Sequence, residues 1–456
     1  MGRYTCRSFR AGSTALFERA LYTLVSYLLT PLVIYRLTWR GLRNRGYFGR
    51  WPERFGFFGD TRLKSSIWIH AVSVGEFNAA VPLIEALMER HPDEHFVVTT
   101  ITPTGSQRVR SVFGDRVFHV YLPYDLPGSV RRFLDRLRPR IALVMETEIW
   151  PNLYFICHER GIPIVIANAR LSERSLRGYG PVRRLAGRAA RCCTLIAAQS
   201  QADSDRFVRL GARPEQIEVL GNIKYDLTLP DGVTQTGSDL REAWGASRPV
   251  WVAASTHEAE EVPTLQAHAR VLGRFPDALL LIAPRHPERF RAVITLCRAY
   301  GFRTAVRSED GLAGPDTQVF VIDSMGELLR FYAAADVAFV GGSLEPIGGH
   351  NVLEPAALGR PVLVGPYTFN FAEITENLIA AGGAGRAQDG IRLGTEVARI
   401  LSDPARLRAM GMIGAQVVER ERGAVGRIIE ATEQVMNTGP QPPAERAAVA
   451  GGLGNS

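Results

Sequence analysis

The chain has 456 residues, which at roughly 100 to 200 residues per domain allows two to four domains with sizeable cores. With 46% hydrophobic and 22% charged residues it is a folding globular chain, which excludes disordered, collagen-like and polytopic membrane classes. Lys+Arg is 54 against 46 Asp+Glu, a formal charge of +8, and only Lys64 and Lys224 are lysines. The five cysteines, Cys6, Cys157, Cys192, Cys193 and Cys297, form no CxxC and no paired spacing. That points to a reducing compartment and away from structural zinc.

Residues 1–50 read as an extension followed by an anchor. The run from residue 20 to residue 37 is uncharged until Arg36, and at roughly 1.5 Å per residue it barely reaches across a ~30 Å hydrocarbon core. Pro31 is expected to kink it, and Tyr22, Tyr27 and Tyr35 favour interfaces. No small-residue cleavage site follows, so a cleaved signal peptide fits poorly. Arg36, Arg40, Arg43, Arg45, Arg50 and Arg54 come next, opposed only by Glu53. Such a cluster is held on the cytoplasmic face and drawn to anionic lipid. A single membrane anchor or an interfacial helix is therefore expected ahead of the bland alternative, a buried amphipathic helix capping the first domain.

From residue 66 short apolar runs alternate with helical stretches. Ile67–His70, Phe96–Thr100, Ile141–Met145, Ile162–Ala167 and Leu195–Gln199 read as buried strands, with helical patterns such as Ala79–Arg90 and Val130–Leu137 between them. The rhythm breaks at residues 229–238, then restarts with Val250–Ala254, Ala278–Ala283, Val319–Ile322, Val337–Val340 and Pro361–Val364. A βαβ series of this kind predicts an α/β fold with two doubly wound, Rossmann-like domains, 51–228 and 239–435, joined by a 229–238 linker. The tail 436–456, rich in Pro, Ala and Gly, is expected to be disordered.

Open parallel sheets bind ligands at the carboxyl ends of their strands. In the first domain those positions hold Ser73-Val-Gly-Glu76 and Glu146-Thr-Glu148-Ile-Trp150. In the second they hold Pro284-Arg285-His286, Asp323-Ser-Met325-Gly326-Glu327 and the glycine-rich run from Gly341 to Glu354. Ser73-x-x-Glu76 and Ser324-x-x-Glu327 are capping-box patterns, and Asn351-x-x-Glu354 approximates one. Glu146, directly after an apolar strand, has no cap to make, and its structural reading is a salt bridge to an arginine. The 341–349 glycines read either as a flexible turn or as an anion cradle. Arg285 sits in a Pro-Arg-His-Pro run and suits a phosphate or carboxylate.

Asp203-Ser-Asp205 matches the metal-binding DxD of some sugar transferases, but acids at a helix start explain it better. No GxGxxG follows the first strand, and there is no Walker lysine, GxSxG or HExxH. Dehydrogenase, kinase and hydrolase readings lose ground accordingly. A second basic cluster, Arg170, Arg174, Arg177, Arg183, Arg184, Arg188 and Arg191, is opposed only by Glu173. It reads as a solvated face or as a docking surface for an anionic acceptor. Nucleic acid would fit the charge, but the aromatic interleaving and motifs of nucleic-acid binders are missing.

Five segments occur in order: Ser73-Val-Gly-Glu76, Thr147-Glu-Ile-Trp-Pro-Asn152, Gly221-Asn-Ile-Lys224-Tyr-Asp226, Ala283-Pro-Arg285-His-Pro-Glu-Arg-Phe290 and Gly348-Gly-His-Asn-Val-Leu-Glu-Pro355. Together they resemble the 3-deoxy-D-manno-octulosonic acid (Kdo) transferases of lipopolysaccharide assembly, from about residue 17 to residue 430. The resemblance implies a GT-B architecture, an acceptor-side domain followed by a nucleotide-sugar domain facing it across a central cleft. It further implies a membrane-associated N-terminus on the cytoplasmic face of the inner membrane. The implied reaction is inverting, metal-independent transfer of Kdo from CMP-Kdo to lipid IVA, the lipid A precursor. By matched position it makes Glu76 the general base and Glu146 and Lys224 transition-state stabilisers. It likewise gives Pro284, Arg285, Met325, Gly326, Glu327, Asn351, Val352, Leu353 and Glu354 to CMP binding. No metal or other cofactor is implied, and the partners are CMP-Kdo, lipid IVA and anionic inner-membrane lipids, without nucleic acid. A UDP-sugar transferase or nucleotide-sugar epimerase would keep the fold and change the chemistry. A membrane-tethered RNA-binding protein is the non-enzyme alternative, and it would predict steeply salt-dependent RNA binding.

Overall fold

A computed structural model describes residues 6–43 and 45–438. The chain forms two compact units, one holding residues up to Ile223 together with those from Gly423 on, the other Lys224–Arg422. From residue 439 the tail expected to be disordered lies outside the described residues.

The first unit contains β1 (Ser66–His70), β2 (Phe96–Thr100), β3 (Phe118–Tyr121), β4 (Pro139–Met145), β5 (Ile164–Ala169), β6 (Leu195–Ala198) and β7 (Ile217–Val219). They pair in parallel in the order β3-β2-β1-β4-β5-β6-β7. Strand alternation sends Ile67 and Ile69 into one apolar layer with Phe77 and Leu83. Trp68 goes into the opposite layer, edge-on to Phe133 at 5.1 Å. Both faces are therefore covered, which is why the central strands read as unbroken apolar runs.

The second unit contains β8 (Val250–Thr256), β9 (Leu279–Pro284), β10 (Thr304–Val306), β11 (Val319–Val321), β12 (Val337–Val340), β13 (Val362–Val364) and β14 (Ala384–Arg386). Their order is β10-β11-β9-β8-β12-β13-β14, again all parallel.

Several boundaries differ from the sequence expectation: the leading part of the first unit ends at Ile223, so 224–228 belong to the second unit, and 436–438, expected in the disordered tail, lie in the last helix. The segment 229–238 is not an open linker, because a helix, Val233–Trp244, begins inside it and buries Val233 and Trp244. The last helix, Ala424–Thr438, was expected to close the second domain at residue 435. It returns instead to the first unit, where Ala424, Ile428 and Ile429 join the layer around Ile67 and Ile69.

The N-terminal helix runs Cys6–Arg43 with Pro31 inside it. Tyr22 donates to Asp125 (2.9 Å) and Thr23 to Asn152 (3.1 Å), which ties the helix to the first unit. Beyond that tether Leu24, Leu28, Leu32 and Tyr35 are exposed. Leu16–Arg43 is long and apolar enough to cross a membrane and is almost entirely unburied, so it is a candidate anchor and not a core helix. Within the following basic cluster Arg50 and Arg54 turn inward. Arg50 binds Glu53 and the His119 carbonyl, and buried Arg54 binds the Ile101 carbonyl and lies over Tyr121.

Candidate active site

In the first sheet the strand order reverses between β1 and β4, so the carboxyl ends of these neighbours flank the crevice where an open parallel sheet takes ligands. After β1, Ser73 caps the helix Val74–Arg90 by accepting the Glu76 N–H at 3.4 Å. The Glu76 carboxylate does not close the box onto Ser73; its Oε2 accepts the Val72 N–H at 2.8 Å. Burial lifts the Glu76 pKa to about 7. The Val72 N–H and the Ser73 hydroxyl oppose the rise, and the charges of Glu146 and Glu148 add to it. A carboxylate that only capped a helix would gain from staying ionised; this one is poised to exchange a proton near neutrality.

Glu146 follows β4 in the left-handed region, φ 56, with its N–H bonded to the Ala167 carbonyl of β5 at 3.0 Å. That turn ends the strand and opens the loop leading to the helix Pro151–Glu159. Among the described residues no ion pair holds Glu146, so its structural reading as a salt-bridge partner does not apply. Glu148, two residues on, was not singled out as a site residue. Burial, joined by the charge of Glu146, raises its pKa to about 7. The repeated acid in Glu-Thr-Glu at a strand end was the signal for it.

Lys224 lies in the 3-10 turn Ile223–Tyr225 and opens the second unit. Its Nζ stands 5.0 Å from the centre of the Phe371 ring, a cation–π contact.

In the second sheet the order reverses between β8 and β12. β8 carries Ser255 at φ 55 with a register shift beside it, and then His257 at the N-cap of the helix Glu258–Leu272. The glycine run after β12, by its sequence a turn or an anion cradle, has a carboxylate on its first N–H groups already. The fully buried Glu260 carboxylate accepts from Gly342 (2.6 Å), Ser343 (2.9 Å), Leu344 (2.9 Å) and His257 (3.0 Å). The cradle is thus an internal tie between β12 and the helix after β8.

The groups left for a ligand stand beside it. His257 and His350 stack with ring planes 5° apart and Nε2 atoms 2.9 Å apart, and His286 meets His257 edge-on at 5.2 Å. Burial, then His257, Arg285 and His286, bring the His350 pKa down to about 4, so the pair is neutral at physiological pH. Arg285 is exposed just after the buried Pro284 that ends β9. The sequence expectation lacks both stacked histidines, although His350 lies inside the Gly348–Pro355 segment and His257 directly follows a strand.

Met325 is 60% exposed and Gly326 takes φ 83. Ser324 does not cap a helix, since Glu327 itself is the N-cap of Leu328–Ala334. Burial would raise the Glu327 pKa, but Ser324, Arg307 and Arg330 outweigh it and hold the carboxylate ionised. Asn351 donates to Glu354 (3.0 Å) and accepts the Leu353 N–H (3.1 Å). Burial raises the Glu354 pKa against that bond. Val352 and Leu353 bury their side chains in the core, so only their backbone can meet a ligand.

Of the decoys, Asp203 is buried and accepts from Ser200 and the Leu171 N–H at the start of the helix Gln201–Leu210. The second arginine cluster is partly structural, with Arg183 bound to the Arg209 carbonyl and Arg191 to that of Gly211. With Leu21, Tyr22 and Val25 of the N-terminal helix, Arg183, Arg184, Arg188 and Arg191 line a groove of about 1180 Å³.

Residues 49–227 match the family described as 3-deoxy-D-manno-octulosonic-acid transferase (kdotransferase). The 3-deoxy-D-manno-octulosonic acid transferase of Haemophilus influenzae is 41% identical over 90% of this chain and 97% of its own length. That of Bordetella pertussis is 38% identical over 91% of this chain and 99% of its own. Among solved structures, a UDP-GlcNAc 2-epimerase from Neisseria meningitidis aligns with a TM-score of 0.54 at 13% identity, covering 81% of this chain and 100% of its own. That likeness is one of fold.

Proposed function

The chain belongs to the 3-deoxy-D-manno-octulosonic acid transferases, glycosyltransferases, and from that premise we propose that it moves Kdo from CMP-Kdo to lipid IVA, with inversion and without a metal ion. The observation that carries the reading is Glu76, a carboxylate at the reversal point of the first sheet with a pKa near 7. In a single displacement Glu76 takes the proton of the acceptor hydroxyl. The freed oxygen pair forms the new bond to the anomeric carbon as the bond from that carbon to the CMP phosphate breaks, and CMP departs with the electron pair. Positive charge builds on the ring oxygen and anomeric carbon, negative charge on the phosphate. Glu146 suits the first and Lys224 the second.

Donor binding falls to the second unit. Arg285 and the neutral His257–His350 pair supply N–H donors for phosphate and carboxylate, Glu354 accepts from ribose hydroxyls, and Pro284, Met325, Gly326, Glu327, Asn351, Val352 and Leu353 shape the nucleotide site. The candidate anchor and the arginines beside it favour a protein held at the cytoplasmic face of the inner membrane on anionic lipid, where an acylated, phosphorylated acceptor resides.

Mass spectrometry of lipid IVA incubated with CMP-Kdo and either wild-type protein or Glu76→Gln tests this. Product is expected from the wild type alone, undiminished by EDTA, with an anomeric configuration opposite to the donor's. No product from folded protein beside an active control, with UDP protecting it from heat better than CMP, would favour the UDP-sugar alternatives instead.

A further inference from the structure

We propose that Asn168 is a positioning residue for the transfer reaction, fixing through its side-chain oxygen and left-handed backbone the segment that carries Lys224. The inference rests on the reading that Lys224 takes part in transfer.

Asn168 sits near the carboxyl end of β5, fully buried, with φ 54. The β5–β6 register shifts at this point, so the residue works as a bulge, a device that re-aims groups beside active sites. Its Oδ1 accepts the Ile223 N–H at 3.1 Å, one peptide before Lys224. Its carbonyl accepts from the Gln199 side-chain amide at 2.9 Å, and the Gln199 Oε1 accepts from the Asn222 amide at 2.9 Å. Two buried side chains, one on β5 and one just past the end of β6, thus grip consecutive residues of the outgoing segment. The preceding residue of β5, Ala167, holds the Glu146 N–H. One strand end therefore fixes the backbone of Glu146 and that of the residue before Lys224.

A purely structural account would say that asparagine merely tolerates a left-handed turn. Two features argue against it. Glycine fills such a conformation with less strain. The Asn168 Nδ2 is also buried without a partner, a cost that a residue chosen for its backbone alone would not carry. What asparagine adds is the oxygen on Ile223.

Asn168→Gly separates the two accounts, because it keeps the turn and removes the oxygen. We expect kcat for Kdo transfer to fall roughly 10- to 100-fold, with KM for lipid IVA and CMP-Kdo within about threefold of wild type. Hydrogen exchange at the Ile223 amide should quicken while the β5 and β6 amides stay protected. In a Lys224→Ala background the same change should cost less than about threefold, since both act through one group. A full multiplicative loss in the double variant, or an unchanged Ile223 amide, overturns the proposal. Wild-type turnover in Lys224→Ala overturns it differently, by removing Lys224 from the reaction, and no transfer by wild-type protein strikes the underlying reading while leaving the exchange result to judge the grip itself.

Discussion

Replacing Glu76 by glutamine should abolish turnover and, above neutral pH, make the protein more stable. The folded carboxyl has a pKa near 7 against an ordinary 4.5. Between those values the native state binds more protons than the unfolded one, so stability falls as pH rises through the window. At about 1.36 kcal/mol per unit the full penalty is about 3 kcal/mol, reached only above pH 7. Glu76 keeps a solvent-facing side, and screening reduces the recoverable part to about 1–2 kcal/mol. At roughly 2–4 °C per kcal/mol for a unit of this size, Glu76→Gln should melt about 2–8 °C higher at pH 8. The two proteins should melt together at pH 4.5. In the same samples, wild-type kcat/KM should climb to a plateau above pH 7 and stand near a tenth of it at pH 6, because a base must be deprotonated. A melting difference independent of pH, or a rate flat from pH 5.5 to 8, would refute the assignment.

Other consequences are equally open to measurement. Glu260→Ala orphans four backbone donors at once and should destabilise the second unit by about 3–5 kcal/mol in a denaturant titration, an effect absent if the glycine run were a loose turn. Arg285→Ala should weaken CMP binding by calorimetry about 10- to 100-fold without moving the melting temperature of the unliganded protein, and Glu354→Gln should weaken it about tenfold. Replacing the exposed Leu28 and Leu32 together by glutamate should release the protein from anionic vesicles in a flotation assay by at least about tenfold, with CMP binding unaltered.

The sequence expectation reached ten of the fourteen strands among the described residues, and the four it passed over, β3, β7, β10 and β14, are the four sheet edges. Edge strands have a neighbour on one side only and here are short and part-exposed, as in Ile217–Val219 and Ala384–Arg386. They therefore lack the apolar run by which a central strand is recognised. Local periodicity also does not say which sheet a helix will cover, so the return of Ala424–Thr438 to the first unit could not be read. The strand-end positions of Glu76 and Glu146 were legible because the chemistry of an open sheet concentrates there. The fate of the glycine run was not. The anion that fills it, Glu260, belongs to a helix some eighty residues earlier, and its helical neighbours make it look like one more first-turn acid.

Among the described residues six non-glycine residues hold a positive φ, and three of them, Glu146, Asn168 and Ser255, stand at the carboxyl ends of β4, β5 and β8. Each such residue costs of order 1 kcal/mol and persists only where its surroundings over-determine it. The restraints are visible: the Ala167 carbonyl for Glu146, Gln199 and Ile223 for Asn168. For Ser255 the restraint is the close pass of Gly341, where any Cβ would come within 2.7 Å of the Ser255 carbonyl. Strain gathered on the ligand-binding edges of both sheets, near their reversal points, is what preorganisation of a reaction centre requires. It follows that relieving it with glycine at Glu146 would remove the carboxylate and the strain together. Ser255→Gly relieves strain alone, so it should raise the melting temperature slightly while leaving transfer within about twofold of wild type. A large loss of turnover in Ser255→Gly would mean that its side chain, and not its backbone, serves the reaction.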